Sequence, residues 1–307
     1  MVEPVIITAF WDVGRGSNCA IPRTNERYYK EFKEWARIKN RLIVYTDEKS
    51  APIIKKIREE YGLIERTTVI VTENIFEIEP DIYRRMHNVE AKADFSYKYF
   101  SGAMSNRAKF DYAWFMIYWC ISDARKYVEE DTLLAWFDFG FNHINSCFTK
   151  MEEFDFLWNC EVDMTKIHLF SLVPLDDVSV IDIFQFQHDT LMGVFHLIPA
   201  ALAGRFWELI RQAMISLLML QCIDDDQMLL LMAVKYQPEL FKIHISKWYL
   251  SLKEMGALNL TVKETKKNSF LKKIKKPFIG IRGDYNFIQQ IKGRLKRTRK
   301  LILKYTY

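Results

Sequence analysis

The run Leu133-Leu134-Ala135-Trp136-Phe137, followed at once by Asp138, constrains this chain more than any other stretch. Five apolar residues bounded by a charge describe a strand buried on both faces, as in a parallel sheet covered by helices. Such a strand delivers its carboxylate at the C-terminal edge of the sheet, where α/β folds gather their ligands. A charge there is costly unless it is paired or bound to metal, so Asp138 is expected beside something positive. An Asp that merely turns the chain or caps the next helix uses the same residue types. Gly140 follows two positions later.

The surrounding sequence alternates strands with helices. Val5 to Phe10, Arg41 to Thr46 and Thr67 to Thr72 read as strands. Between them, Tyr28, Phe32, Trp35 and Lys39 fall at helical spacing. Ser50 is placed to cap a helix that has Pro52 in its first turn and turns Ile53, Ile54, Ile57 and Tyr61 inward. A long helical region from Ser105 to Val128 leads into the Asp138 strand. This alternation predicts an α/β fold with a mostly parallel sheet flanked by helices. Downstream, Lys166 to Val173, Leu191 to Leu197 and Phe241 to Ile245 read as strands, with helices opening at Pro199 and Asp224. Residues 1–260 are expected to form one domain, with 261–307 appended as a basic helical tail.

Charge divides the chain at that boundary. The net charge is +5 over 307 residues, yet residues 261–307 hold fifteen Lys or Arg against two acids. The body is left with 29 bases and 37 acids. In the tail, Ile288, Ile291, Leu295, Ile302 and Tyr305 keep to one helical face, with Lys and Arg on the others. A basic amphipathic helix fits an anionic membrane surface. Packing against the acidic body would leave a similar stripe. The bases sit in an appendage and no reader motif accompanies them, so no nucleic acid is expected as partner. Five cysteines without a C-x-x-C pair predict buried thiols in a reducing compartment. Glu3 and Pro4 precede the first strand, which does not read as a signal peptide. The most apolar helix is interrupted by Arg205, Glu208, Arg211 and Gln212, so no bilayer span is expected. The expected location is cytoplasmic, peripheral on the inner face of a bacterial inner membrane.

Four places carry more polarity than packing needs. The segment Thr8 to Gly16 is a strand end entering a loop with Gly14, Arg15 and Gly16, where backbone and guanidinium can approach a phosphate. Arg107 and Lys109 oppose the dipole at a helix N-terminus, as a solvated face or as a diphosphate site. Asp138 is the third. Asp224-Asp225-Asp226-Gln227 is the fourth, with more acids than capping requires. His244 lies beyond it, in an apolar strand where a satisfied core histidine is the commoner outcome.

In order, these pieces resemble the HtrL/YibB-like family of bacterial proteins. The matching stretches are Thr8-Ala9-Phe10-Trp11-Asp12-Val13-Gly14-Arg15-Gly16, Tyr28 to Ala36, Val44-Tyr45-Thr46, Trp136-Phe137-Asp138-Phe139-Gly140 and Asp225-Asp226-Gln227. The resemblance implies a GT-A-like glycosyltransferase of lipopolysaccharide, lipooligosaccharide or capsule assembly. It would move a sugar, from a UDP-sugar by preference, to a glycan or lipid-linked acceptor. A more distant similarity to family-8 glycosyltransferases aligns Arg107 and Lys109, Asp138, Gly193-Val194-Phe195, Asp226-Gln227 and His244 in order. The implied donor-binding residues are Thr8, Ala9, Phe10, Arg15, Arg107, Lys109, Asp138 and Gly193. Asp225, Asp226 and Gln227 are the implied catalytic set, and Asp138 with His244 the implied ligands of Mn2+ or Mg2+. Gly140 stands where that pattern has its second Asp. A catalytically inactive sugar-binding or scaffold relative is the alternative from another class.

Overall fold

The computed structural model describes residues 1–16, 23–92, 107–176, 178–181 and 190–263. The basic tail beyond residue 263 and Cys19 lie outside the described residues. Seven strands form one sheet: β1 (Val5–Phe10), β2 (Leu42–Thr46), β3 (Thr67–Val71), β4 (Leu133–Phe137), β5 (Ile167–Ser171), β6 (Phe195–Pro199) and β7 (Phe241–Ile245). Their order is β3-β2-β1-β4-β6-β5-β7. β3, β2, β1 and β4 are mutually parallel, and β7 is parallel to β5. β6 alone runs the other way, antiparallel to both of its neighbours. The mostly parallel α/β expectation therefore holds, with one reversed strand inside the sheet.

The α-helices among the described residues are α1 (Asn25–Trp35), α2 (Ala51–Glu60), α3 (Pro80–Lys92), α4 (Ala108–Asp123), α5 (Ala200–Met219), α6 (Asp226–Tyr236) and α7 (Ser251–Glu254). Alternate residues of each strand enter opposite cores, as the two-residue period requires. Ile7, Tyr45, Leu134 and Trp136 pack with α3, α4, α5 and α6 on one face. Ile6, Val44, Ala135 and Phe137 pack with α1 and α2 on the other. β4 is buried along its whole length, as its apolar run predicts. No helix among the described residues is long and apolar enough to cross a membrane.

Two local expectations are corrected. Ser50 has helical φ and ψ and makes no side-chain cap. Its N–H instead donates to Asp47 Oδ1 at 2.8 Å, and its hydroxyl meets Tyr29 OH at 2.9 Å. The first helix ends at Trp35, so Lys39 lies beyond the stripe. Arg58, 1 % exposed, holds that exit by donating to the carbonyls of Ala36, Ile38 and Asn40 at 2.6, 2.8 and 3.1 Å. Its Nε donates to Thr67 Oγ1 at 2.7 Å, so one buried guanidinium ties α1, β2 and β3 together. Thr261 N–H donates to Glu153 Oε2 at 2.5 Å, and Lys263 N–H to the Cys147 carbonyl at 2.7 Å.

β1 has β2 on one side and β4 on the other, while the helices beside them cover opposite faces. A crevice opens where such a sheet changes direction, beyond the C-terminal ends of its strands. The candidate site lies there.

Candidate functional site

A cleft runs over the ends of β1 and β4. β1 and its exit supply Ala9, Phe10, Trp11, Asp12 and Val13; α4 supplies Phe110, Ala113, Trp114 and Ile117; β4 and its exit supply Trp136, Asp138 and Phe139. Arg15, Asn25 and Tyr28 close one side. Aromatic rings form its foundation. Phe139 stacks on Phe10 at 4.7 Å and on Phe32 at 4.5 Å. The loop after β1 turns at Gly14, whose φ of 78° suits glycine. Asp12 Oδ1 accepts from Gly14 N–H at 2.9 Å. That bond, a bond from Asn25 and the charges of Lys109 and Lys49 hold the Asp12 carboxyl below its ordinary value against its partial burial. The Arg15 guanidinium lies 5.8 Å over the Tyr28 ring and donates to the Tyr28 hydroxyl.

Asp138 extends β4 by one residue. Its N–H donates to Val194 O and its carbonyl accepts from Phe141 N–H, both at 2.9 Å. Its Oδ1 accepts from Gly140 N–H at 2.7 Å. Burial raises the Asp138 carboxyl above its ordinary value, opposed by the Gly140 bond and by Arg15, Arg23 and His143. The expected positive neighbours are therefore arginines.

Gly193 and Asp226 reach the same point from elsewhere in the chain. A Cβ on residue 193 would stand 1.7 Å from Asp226 Oδ2, so only glycine lets that carboxylate lie against the backbone. Trp136 Nε1 donates to Gly193 O at 3.1 Å and fixes the segment under β4. Burial, then Asp225, then Asp138 push the Asp226 carboxyl well above its ordinary value. Its neighbours have structural duties. Asp225 caps α6 by accepting from Gln227 N–H at 3.2 Å, and Asp224 Oδ1 accepts from Asp225 N–H at 2.9 Å. Gln227 Oε1 accepts from Thr190 N–H at 3.1 Å. Asp226 thus interacts electrostatically with Asp138.

Other expected residues are placed differently. Ala9 and Phe10 line the cleft, while Thr8 is fully buried beneath it. Lys109 is exposed and acts on Asp12 at the cleft mouth. Arg107 turns to Glu90 of α3 at 3.4 Å. His244 is the clearest departure. It lies on β7, three strands from β4, so sheet spacing alone sets it about 14 Å away. Its Nε2 meets His168 Nδ1 at 2.9 Å. The pairing of Asp138 and His244 on one ion is not formed, because β6 and β5 lie between their strands. Among the described residues, no three His, Cys, Asp or Glu side chains converge as a metal site. The carboxylate neighbour of Asp138 is Asp226, in place of the expected His244.

Several site residues escaped the sequence reading. Tyr28 read as a core residue of the α1 stripe, yet its hydroxyl faces the cleft arginine. Trp114 is one of many apolar residues in a mostly apolar helix. Glu31 carried no signal at all. It is 4 % exposed, and its Oε2 stands 2.9 Å from where a Cβ on Gly140 would be.

A family described as "Bacterial protein of unknown function (HtrL_YibB)" matches residues 2–255. Protein HtrL of Escherichia coli (strain K12) is 24 % identical over 270 residues, covering 80 % of this chain and 89 % of that protein. The apo crystal structure of mouse xyloside xylosyltransferase 1 superposes with a TM-score of 0.41 at 14 % identity, over 82 % of this chain and 90 % of that one. The match across nearly all of the described body makes this chain a member of the HtrL/YibB family of bacterial proteins.

Proposed function

We propose that the cleft binds a nucleotide-sugar, a UDP-sugar by preference, and transfers its sugar to a glycan or lipid-linked acceptor in bacterial surface-polysaccharide assembly. One observation carries this reading: Asp138 and Arg15 line one aromatic cleft, and Asp138 acts electrostatically on Asp226, which lies against Gly193. Trp11, Trp114 and Phe110 offer flat faces on which a base can stack. The planar fork of Arg15 suits a diphosphate. In the transfer, an acceptor oxygen bonds to the anomeric carbon as the bond to the diphosphate oxygen breaks. The acceptor proton passes to a carboxylate, and Asp226, whose carboxyl is raised by burial, is the residue assigned to it. Fixed cations meet the charge that develops on the diphosphate. Attachment of residues 261–307 to an anionic inner-membrane surface completes the reading and rests on sequence alone.

Thermal shift with UDP-, GDP-, CMP- and dTDP-sugars, followed by donor hydrolysis, tests the proposal. A shift with one base, together with hydrolysis lost in Asp138→Asn, is expected. A shift without hydrolysis under any condition would favour an inactive sugar-binding relative. No shift with any donor would end the glycosyltransferase reading.

A further inference from the structure

The surroundings of Asp138 bear on how a diphosphate is held. A Mg2+ ion on a diphosphate takes one or two carboxylates beside the phosphate oxygens and water. Asp138 Oδ1 is already committed to Gly140 N–H at 2.7 Å. Position 140 itself is crowded. A Cβ there would stand 2.9 Å from Glu31 Oε2 and 3.2 Å from Asp138 Oδ1, so a longer side chain requires Glu31 to move. The carboxylate that fills this space is compensated from behind. Glu31 Oε1 lies 3.1 Å from Arg27 Nε and 2.9 Å from His143 Nδ1. His143 Nε2 in turn accepts from Arg27 Nη2 at 3.0 Å, which leaves the proton on Nδ1, facing Glu31. Burial works against the Glu31 charge, but His143 and Arg27 outweigh it and hold the carboxyl below its ordinary value. Arg27 thus already supplies the cation for this carboxylate.

Positive charge reaches Asp138 from another direction. Arg15 lies over Tyr28 and bonds its hydroxyl, and Arg23 bonds the same hydroxyl. The Arg23 backbone N–H donates to Arg15 O at 3.4 Å, which ties the two residues together. The Arg23 Nε is shielded from solvent and has no hydrogen-bond partner among the described residues. A buried donor left in that state calls for an acceptor. Two guanidiniums on one tyrosine present planar forks of the kind that pair bidentately with phosphate oxygens.

We infer that this site holds its donor's diphosphate with the pair Arg15 and Arg23, and does so without a divalent ion. Asp138 then acts as the anion that orients the two guanidiniums, and Gly140 as the space that Glu31 needs. The inference rests on the proposed function, because it takes the ligand to be a nucleoside diphosphate.

Calorimetric titration of the full chain with UDP, GDP and dTDP tests it, each in EDTA and in excess Mn2+. One nucleotide is expected to bind with affinities within about twofold in the two conditions. The double variant Arg15→Met/Arg23→Met should weaken that binding by roughly 100-fold, and Arg15→Lys by less, because an ammonium lacks the fork. Binding that needs Mn2+, or falls more than tenfold in EDTA, overturns the inference while leaving the proposed function intact. Metal-independent binding untouched in a double variant that melts like the parent also overturns it. If none of the nucleotides binds in either condition, the donor reading itself fails. The chelator comparison uses the unmodified chain and stands even if the double variant does not fold.

Discussion

Two groups of polar side chains stand level with each other on this sheet, one at the tip of β4 and one at the β5–β7 edge. At the edge, His168 and His244 complete each other. Their rings stack at 5.2 Å, the His168 Nδ1 to His244 Nε2 distance is 2.9 Å, and His168 Nε2 meets Asp163 O at 2.9 Å. Phe170 stacks on His244 at 5.1 Å. Burial, with His168 and Lys242 adding to it, pushes His244 down to about 4, so the pair is neutral and closed. At the β4 tip, two acids lie in one partly buried place, and burial raises both. Arginines and an aromatic cleft face them. Polar groups that satisfy one another are architecture. Like charges held together beside a cleft are where a ligand is wanted.

The largest effect that could break this contrast is at Asp138. Asp138→Asn should lower transfer by about 1,000-fold with an unchanged or higher melting temperature, because a buried charge is removed. Normal turnover would move the site away from β4. Gly193→Ala comes next. Its methyl would meet Asp226 Oδ2 at 1.7 Å and displace it, and transfer should fall by about 100-fold. Full activity in that variant would show that Asp226 has no part in the reaction.

Acid titration sharpens the contrast from the other side. His196, fully buried beside Trp136, is pushed down to about 3 by burial, and neither of its ring nitrogens has a hydrogen-bond partner among the described residues. His168 is lowered by burial as well. Below the ordinary histidine value of 6.5, the unfolded chain binds protons that the folded chain refuses. Stability from these residues is therefore present above about pH 6.5 and is lost progressively as pH falls toward 3. Denaturant unfolding between pH 7 and 4 should show the loss, and His196→Phe should flatten it. An unchanged slope in that variant would remove His196 as the cause. The smallest effect belongs to the edge. His244→Phe should keep transfer within about twofold and cost no more than about 1 kcal/mol. A large loss of transfer would put the edge pair back into the mechanism.

Legibility in the sequence followed the strength of local pattern. β1 and β7 are readable to the residue, β1 as a short and largely apolar run and β7 as an alternation of apolar and polar residues. α3 was not read, because only Ile82 and Met86 of its thirteen residues are buried. The start of α6 was read two residues early, since each of three successive acids is an acceptable cap and packing selects Asp225. In the site, Asp138 is legible because a charge ending an apolar strand is costly, Asp226 because its acidic run exceeds what a cap needs, and Gly193 through order and resemblance alone. Glu31 and Arg23 are not, because nothing near them in sequence marks a contact with a residue more than a hundred positions away.

By itself the sequence determined that an apolar, strand-and-helix body would bury β4 and leave Asp138 at its tip. Those outcomes depend on hydrophobic period and chain connectivity, which are local. Only the tertiary structure decided that β6 runs backward, that His244 stays with His168, and that Glu31 fills the space beside Gly140. Each of these is a choice of partner across the sheet or between layers, and distance in space is not written in the spacing of residues.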